Sequence, residues 1–527
     1  MALRSLLLFL ALLPASSDPV VTAIISEGRS NSRVMEYLER LPAPRLSSST
    51  KLTEACEWAR AEFEKLGLKA RVEEWGKFPV GFDRGPWSAR MVAPQAKDLT
   101  IGFNAWSAGT HGPVTGPAVL APTTDDELLA VKEKLKGAWV ISSSRGPEKY
   151  RVAYDEAGIA GVIRTEGGEL IHTGGNPRIE FDKLPTRVTV TMLGSQHKEI
   201  VDLLKAGKDV TLTIDIKVEF KKGPIKLYNV IAELAGSEKP DELVIVGGHI
   251  DSWDGAAGVT DNGTGVSTTL EAARLLTKAG AKPKRTIRFM LWSGEEQGIL
   301  GSRAYIKAHP EENAKISAVL VHDGGTNVAS GINATEAMAP ILEKALEPLV
   351  KLDGDFRFEV RKVPGLPRGI GSDHDAYLAA GVPGFYWIQS GRAKYPFGHH
   401  TQSDTLALAI PEYQRHTSIV VAVGALRIAD LAELLPRENL TAAGTPRNRR
   451  LLGVQLDPDE MTITQLIDGG AAEKAGLKIG DKLLKLNGSV LDDMKALSQV
   501  IQGAPKESKV IVRRDGKDLE LPVTLPD

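Results

Sequence analysis

The chain has 527 residues and a single cysteine, Cys56. One thiol cannot form an intramolecular disulfide, and cysteine-based zinc ribbons and paired redox motifs are excluded with it. Any metal must therefore be held by His, Asp and Glu. Net charge is equally scarce: 65 Lys and Arg against 67 Asp and Glu leave a formal charge of -2. No excess of either sign points to nucleic acid or to an acidic surface as partner. Long hydrophobic runs are missing too, since no stretch reaches the roughly 18 apolar residues of a membrane span. The 52 Gly and 30 Pro are not periodic, which excludes fibrous classes.

What remains is an ordinary globular composition, 42% hydrophobic and 25% charged. The length exceeds one hydrophobic core and fits roughly three domains. Residues 1–17 stand apart. Arg4 precedes an apolar run from Leu6 to Leu13, and Pro14, Ala15, Ser16 and Ser17 follow. A short apolar run before small residues has the form of a cleaved secretory signal and implies export. Cys56 lies in a segment, Leu52 to Phe63, with helical apolar spacing and reads as a small buried residue.

The spacing predicts a helix over 50–67 ending at Gly67, then a strand from Lys69 to Trp75. Pro86 to Thr115 is rich in Pro, Gly and small polar residues and reads as a loop-heavy crossing. From Gly116 a second pattern begins, with strands at Trp139-Val-Ile-Ser, Pro185 to Met192 and Val210 to Val218 and a helix near Ser195 to Lys205. This stretch resembles a protease-associated domain, a small β-rich module inserted in peptidases. Continuous apolar runs at Leu243–Val246, Thr286–Trp292 and Ile316–Val321 suit strands buried on both faces, and helices between them (264–276, 301–308) give an α/β layered domain. The last eighty residues carry Leu451-Leu-Gly-Val and Ala471-Ala-Glu-Lys-Ala-Gly-Leu-Lys-Ile-Gly-Asp. They resemble a PDZ domain, in which Leu451, Leu452, Gly453 and Val454 would receive a peptide C-terminal carboxylate and the peptide would add as a strand. A structural cap with no ligand is the competing reading of this domain.

Five short motifs carry chemistry. Gly247-Gly-His249-Ile-Asp251 ends an apolar strand, where ligands collect in open α/β sheets. His249 and Asp251 are two apart, so on an extended backbone they point the same way, and a carboxylate commonly accepts from the far N–H of a metal-bound His. Asp261-Asn-Gly-Thr-Gly opens a helix; Asp261 could be an N-cap or could bridge two metals, one per oxygen, with Gly263 and Gly265 letting the backbone pass close by. Glu295 and Glu296 follow a buried strand, where two adjacent carboxylates are costly without a cation. Their side chains diverge, so one can bind metal while the other takes a proton. Asp323 ends another apolar strand, with His322 facing the other way. His399-His400-Thr-Gln-Ser-Asp404-Thr supplies a late histidine. Oxygen and imidazole donors of this kind suit a di-zinc hydrolase.

In order and spacing these motifs resemble those of the M28 metallopeptidases over roughly residues 20–432, and the carboxypeptidase Q branch in Gly-Gly-His-Ile-Asp-Ser-Trp-Asp and the His-His pair. The resemblance implies an exopeptidase holding two zinc ions per chain. His249 and Glu296 would complete one site, Asp323 and His400 the other, and Asp261 would bridge them before a cis peptide bond. Glu295 would be general base and Asp251 would orient His249. His399 stands where several relatives place a carbonyl-polarising tyrosine, and either His399 or His400 could be the ligand. Ser372 and Asp373, in Ser-Asp-His, would line the site. The expected architecture is a three-layer α/β/α zinc exopeptidase domain on a mixed sheet (18–112 and 223–432), interrupted by the protease-associated insert (113–222), with a linker (433–446) and a PDZ-like domain (447–527). Peptide substrates are implied, and a homodimer is known among such relatives. The end of the peptide attacked stays open between aminopeptidase, dipeptidase and carboxypeptidase. Two competitors are a single-zinc glutaminyl cyclase-like acyltransferase, which metal stoichiometry would separate, and a non-catalytic peptide-binding protein, which should have lost ligands.

Overall fold

A computed structural model describes residues 18–142, 148–352, 355–441, 452–457, 460–467 and 470–526. The expected signal segment 1–17, residues 442–446 of the expected linker and Leu451 lie outside these residues.

Helix α1 (Thr50–Lys65) starts where Ser49 accepts from the Leu52 N–H at 3.1 Å, and it ends before Gly67, whose φ of +80° suits glycine. Its Cys56 is buried as expected. Strand β1 (Lys69–Ala93) follows and pairs along nearly its whole length with β2 (Thr211–Leu234). The expected loop over Pro86–Thr115 is therefore strand as far as Ala93, and the strand expected at 210–218 runs on to Leu234. Pro, Gly and polar residues are tolerated there because the ribbon is broken by four register shifts, between Glu74 and Gly76, Phe78 and Val80, Arg84 and Trp87, and Met91 and Ala93.

The ribbon joins two halves of one sheet. On one side β2 pairs with β4 (Arg285–Trp292), and the order continues through β3 (Lys239–His249) and β5 (Ile316–Val321) to β6 (Gly384–Tyr386). Strands β3 to β6 are mutually parallel, and β4 to β2 is antiparallel. Both faces are covered. Val244, Val246, Phe289, Leu291, Ala318 and Leu320 pack into a core with helices α2 (Thr264–Lys278) and α3 (Pro411–Ala429). Alternate residues Leu243, Ile245, Met290, Trp292, Val319 and Val321 pack on the other face with Tyr305 and Tyr377 from helices Leu300–Ala308 and His374–Ala379. Each such side chain contributes about 1.5–3 kcal/mol by leaving water, which is why these runs read as continuous apolar sequence.

On the other side of the ribbon, strands Val114–Leu120, Trp139–Ile141, Gly161–Arg164 and Thr189–Met192 run parallel to one another, with helices between them. Of the expected linker, Leu435 and Leu440 are buried in the main core, so this part of the chain lies against the peptidase body. The C-terminal strands Val454–Asp457, Thr462–Leu466, Lys482–Leu486, Glu507–Arg514 and Lys517–Thr524 form a sheet of their own. It has a separate core that includes Leu483, Leu486, Ile501, Val510 and Val512. No helix of the described residues is long and apolar enough to cross a membrane.

Candidate metal centre

Three neighbouring parallel strands deliver the site. His249 is the last residue of β3; Glu295 and Glu296 follow β4; Asp323 follows β5. Asp261 enters from the segment before α2, and His399 and His400 from a turn after residues Tyr395–Gly398. The geometry resolves into two groups. His249 Nε2 lies 3.1 Å from Asp261 Oδ1 and 3.2 Å from Asp323 Oδ1. His400 Nε2 lies 3.1 Å from Asp261 Oδ2 and 2.9 Å from Glu296 Oε2. Asp261 thus turns one oxygen to each group. The pairing differs from the expected one: His249 stands with Asp323, and His400 with Glu296. β3 lies between β4 and β5 in the sheet, and Asp323 beyond β5 is the acid that reaches His249 Nε2, while Glu296 beyond β4 turns to His400.

A cation fits each group. Two ligands on one tetrahedral zinc lie about 3.3 Å apart, close to the separations found here. Asp261 Oδ2 is buried, and its near neighbours are imidazole nitrogens. His249 Nδ1 lies 3.0 Å from the Asp251 carbonyl oxygen; an N–H donated there leaves the Nε2 lone pair for metal. The crowding of charge shows in the proton affinities. Burial, then the charges of Asp323, Glu296 and Asp373, push the Glu295 carboxyl well above its usual range, although His249 opposes them. Burial and the Asp261 charge push Glu296 up to about 7. Burial would lower His400, but hydrogen bonding to Asp261 and Glu296 outweighs it and takes the imidazole to about 10. Carboxylates that bind protons this tightly will exchange them for a divalent cation.

Glu295 Oε2 is 4.0 Å from His249 Nε2, facing the centre but further from it than the other donors. Asp251 orients His249 through its backbone oxygen. Its carboxylate accepts from the N–H groups of Glu295 at 3.2 Å and Glu296 at 3.4 Å and from Ser47 Oγ at 3.0 Å. His400 is nearer Asp261 than His399, which stacks on it at 3.9 Å with its own Nε2 3.7 Å from Asp261 Oδ2. His322 belongs to neither group; burial lowers it to about 4. Ser372 and Asp373 are buried, as His249 and Asp261 are, and the charge of Asp373 is among those that act on Glu295. The Asp261–Asn262 peptide bond is cis. Gly265 allows close approach, since a Cβ there would lie 2.3 Å from the His322 carbonyl oxygen.

Other residues support the centre, Arg45 and Tyr386 among them without any sequence signal. Arg45 is buried, and its guanidinium donates to the carbonyl oxygens of Ile250, Ala257 and Gly258 at 2.7, 3.1 and 2.8 Å, clamping the loop that follows His249. Asp404 accepts from Thr260 N–H at 2.7 Å, Thr260 Oγ1 at 2.8 Å and Asp261 N–H at 3.1 Å. It sits in a motif quoted above, and its place there was the available hint. Tyr386 Oη donates to the Asp323 carbonyl oxygen.

Known proteins place this arrangement. The family described as Peptidase family M28 matches residues 229–424, and a PDZ domain matches residues 462–514. Human carboxypeptidase Q is 30% identical over 443 residues, covering 80% of this chain and 91% of that protein. The chain belongs to peptidase family M28. The probable leucine aminopeptidase 2 of Aspergillus oryzae is 25% identical over 332 residues, covering 58% of this chain and 64% of that protein. The crystal structure of a peptidase M28 precursor from Shewanella amazonensis superposes with a TM-score of 0.57 at 26% identity, covering 79% of this chain and 97% of that one. This M28 chain is a metallopeptidase with a C-terminal PDZ domain.

Proposed function

We propose that the protein is an exported exopeptidase that holds two zinc ions and removes residues from the end of short peptides, as an aminopeptidase or dipeptidase. The observation that supports it most is Asp261, whose two oxygens face two separate donor sets. Asp261 would bridge the metals, His249 and Asp323 completing one site and His400 and Glu296 the other. When bound, zinc supplies Lewis acidity and a water acidic enough to attack near neutral pH. Glu295 holds that water and takes its proton, its affinity for a proton being raised by burial and neighbouring charge. It returns the proton to the leaving amine. Asp251 fixes the His249 tautomer and the backbone of both glutamates. His399, exposed beside His400, is placed to donate to the scissile carbonyl. Export rests on the 1–17 pattern, and recovery of full-length precursor in the cytoplasm alone would count against it.

The test is metal content and hydrolysis measured together on purified protein, with aminoacyl-nitroanilides and with free or end-blocked dipeptides. Two zinc per chain and turnover lost on N-blocking are expected. One zinc or none, without hydrolysis, would overturn the reading in favour of a cyclase or a binding protein.

A further inference from the structure

The first strand of the PDZ domain, β7 (Val454–Asp457), is an edge strand: it pairs with Thr462–Leu466 on one side and with no other described strand. Beside it begins helix α4 (Met494–Gly503), whose Met494 is 45% exposed. An open edge next to a helix is where an extended peptide adds. The edge does not face open solvent alone. Val454, Leu456, Asp457 and Met494 share a cavity of about 370 Å³ with Trp253, Glu296 and Gln297 of the peptidase and with Asn176, Pro177 and Arg178 of the insert. Trp253 and Glu296 also wall the pocket that holds Asp261 and His400. The two spaces share these two residues as a common wall. The relative placement is held by contacts between the insert and the PDZ domain: Asn176 Nδ2 donates to Asp457 Oδ2 at 3.4 Å, and Arg151 pairs with Glu460.

We infer that the PDZ edge is the far end of the peptidase's own substrate cleft. The occupant is a short peptide with a free C-terminal carboxylate and an apolar last residue. Its carboxylate sits at Leu452-Gly453-Val454, where Gly453 has φ +79°. Its chain runs along β7 toward Asp457, and its amino end reaches the metal centre past Trp253. The apolar walls Val454, Leu456 and Met494 choose the C-terminal side chains. Pairing along the four residues of β7 takes up about 13 Å at about 3.3 Å per residue, and the crossing to the centre requires a peptide longer than those four residues. The inference rests on the exopeptidase reading for its amino-end direction. It makes the PDZ domain a specificity element of the enzyme, reading the end opposite to the one cleaved.

The experiment compares a free-acid hexapeptide ending in an apolar residue, its C-terminal amide, and a leucine nitroanilide too short to reach β7. In the wild-type full chain, amidation should raise KM about tenfold with kcat little changed. Met494→Asp, at an exposed helix start that accepts an acid, should erase the acid-over-amide preference while the unfolding midpoint stays near wild type. Binding of the same acid and amide to Glu295→Gln, followed by calorimetry, reads the cleft without turnover and should favour the acid by a similar factor. Equal KM and equal binding for acid and amide, or a preference that survives Met494→Asp, would overturn the inference. Failure of nitroanilide hydrolysis alone would instead strike the exopeptidase reading and leave the binding comparison to judge the cleft.

Discussion

The backbone N–H of Thr173, in the insert, donates to the carbonyl oxygen of His400 at 2.7 Å. Beside it, the Ile171 N–H donates to Gln402 Oε1 at 2.6 Å and the Gln402 N–H to the Ile171 carbonyl oxygen at 3.0 Å. His400 itself has φ of 54°, a conformation a non-glycine residue keeps only when its surroundings hold it. The insert is thus one wall of the metal centre, and the turn carrying His400 is completed by it. Thr173→Pro removes the donor. We expect it to weaken zinc binding about tenfold or more and to lower kcat/KM with it, whereas Thr173→Val keeps the N–H and should stay near wild type. Zinc titration of both variants checks this.

Glu295→Gln should retain the full metal content while turnover falls by about a hundredfold or more, because the amide cannot take the proton. Near-normal turnover in that variant would remove Glu295 from the role of base.

Asp404 has three donors and no charge partner among them, so its exchange is a test of positioning. In Asp404→Asn one oxygen becomes an NH2 that must face a backbone or hydroxyl donor. The cost is about 2 kcal/mol of stability, and metal affinity should fall by about 10–100-fold. Thermal unfolding and metal content would separate the two effects; unchanged affinity would mean that Asp261 holds its place without this carboxylate.

Arg45 satisfies three buried carbonyl oxygens around the loop that links His249 to Asp261. Arg45→Met removes the guanidinium from all three, although Gly258 keeps the Gly263 N–H at 3.0 Å, and should destabilise the protein by about 3 kcal/mol, readable as a lower unfolding midpoint in denaturant.

Chelation should abolish hydrolysis and lower the melting temperature, since Asp261, Glu295, Glu296 and Asp323 then repel one another in a buried space. Restored zinc at about a hundredfold over its Kd would return about 2.7 kcal/mol. A melting temperature indifferent to chelator would contradict the assigned centre.

The chemistry of the site was legible locally because each donor sits in a short segment whose composition betrays it: an apolar strand, then an acid or histidine, then glycine. Strand period and apolar continuity likewise marked β3, β4 and β5. What stayed hidden depended on partners far along the chain. The ribbon of β1 and β2 reads as loop around Pro86 because its strand character comes from cross-strand pairing and not from apolar content. Arg45 meets Ile250, and Thr173 meets His400, only after the sheet has closed.

By itself, then, the sequence determined which donor types this protein has, that metal must be held without cysteine, and that the strands carrying His249 and Asp323 are buried on both faces. The tertiary structure alone decided which donors stand together, His249 with Asp323 and His400 with Glu296, because the directions in which side chains leave the strand ends are not written in the order along the chain. It also decided that the insert and the PDZ edge flank the centre, because those contacts join surfaces whose residues are individually unremarkable and acquire meaning only from the distance between them.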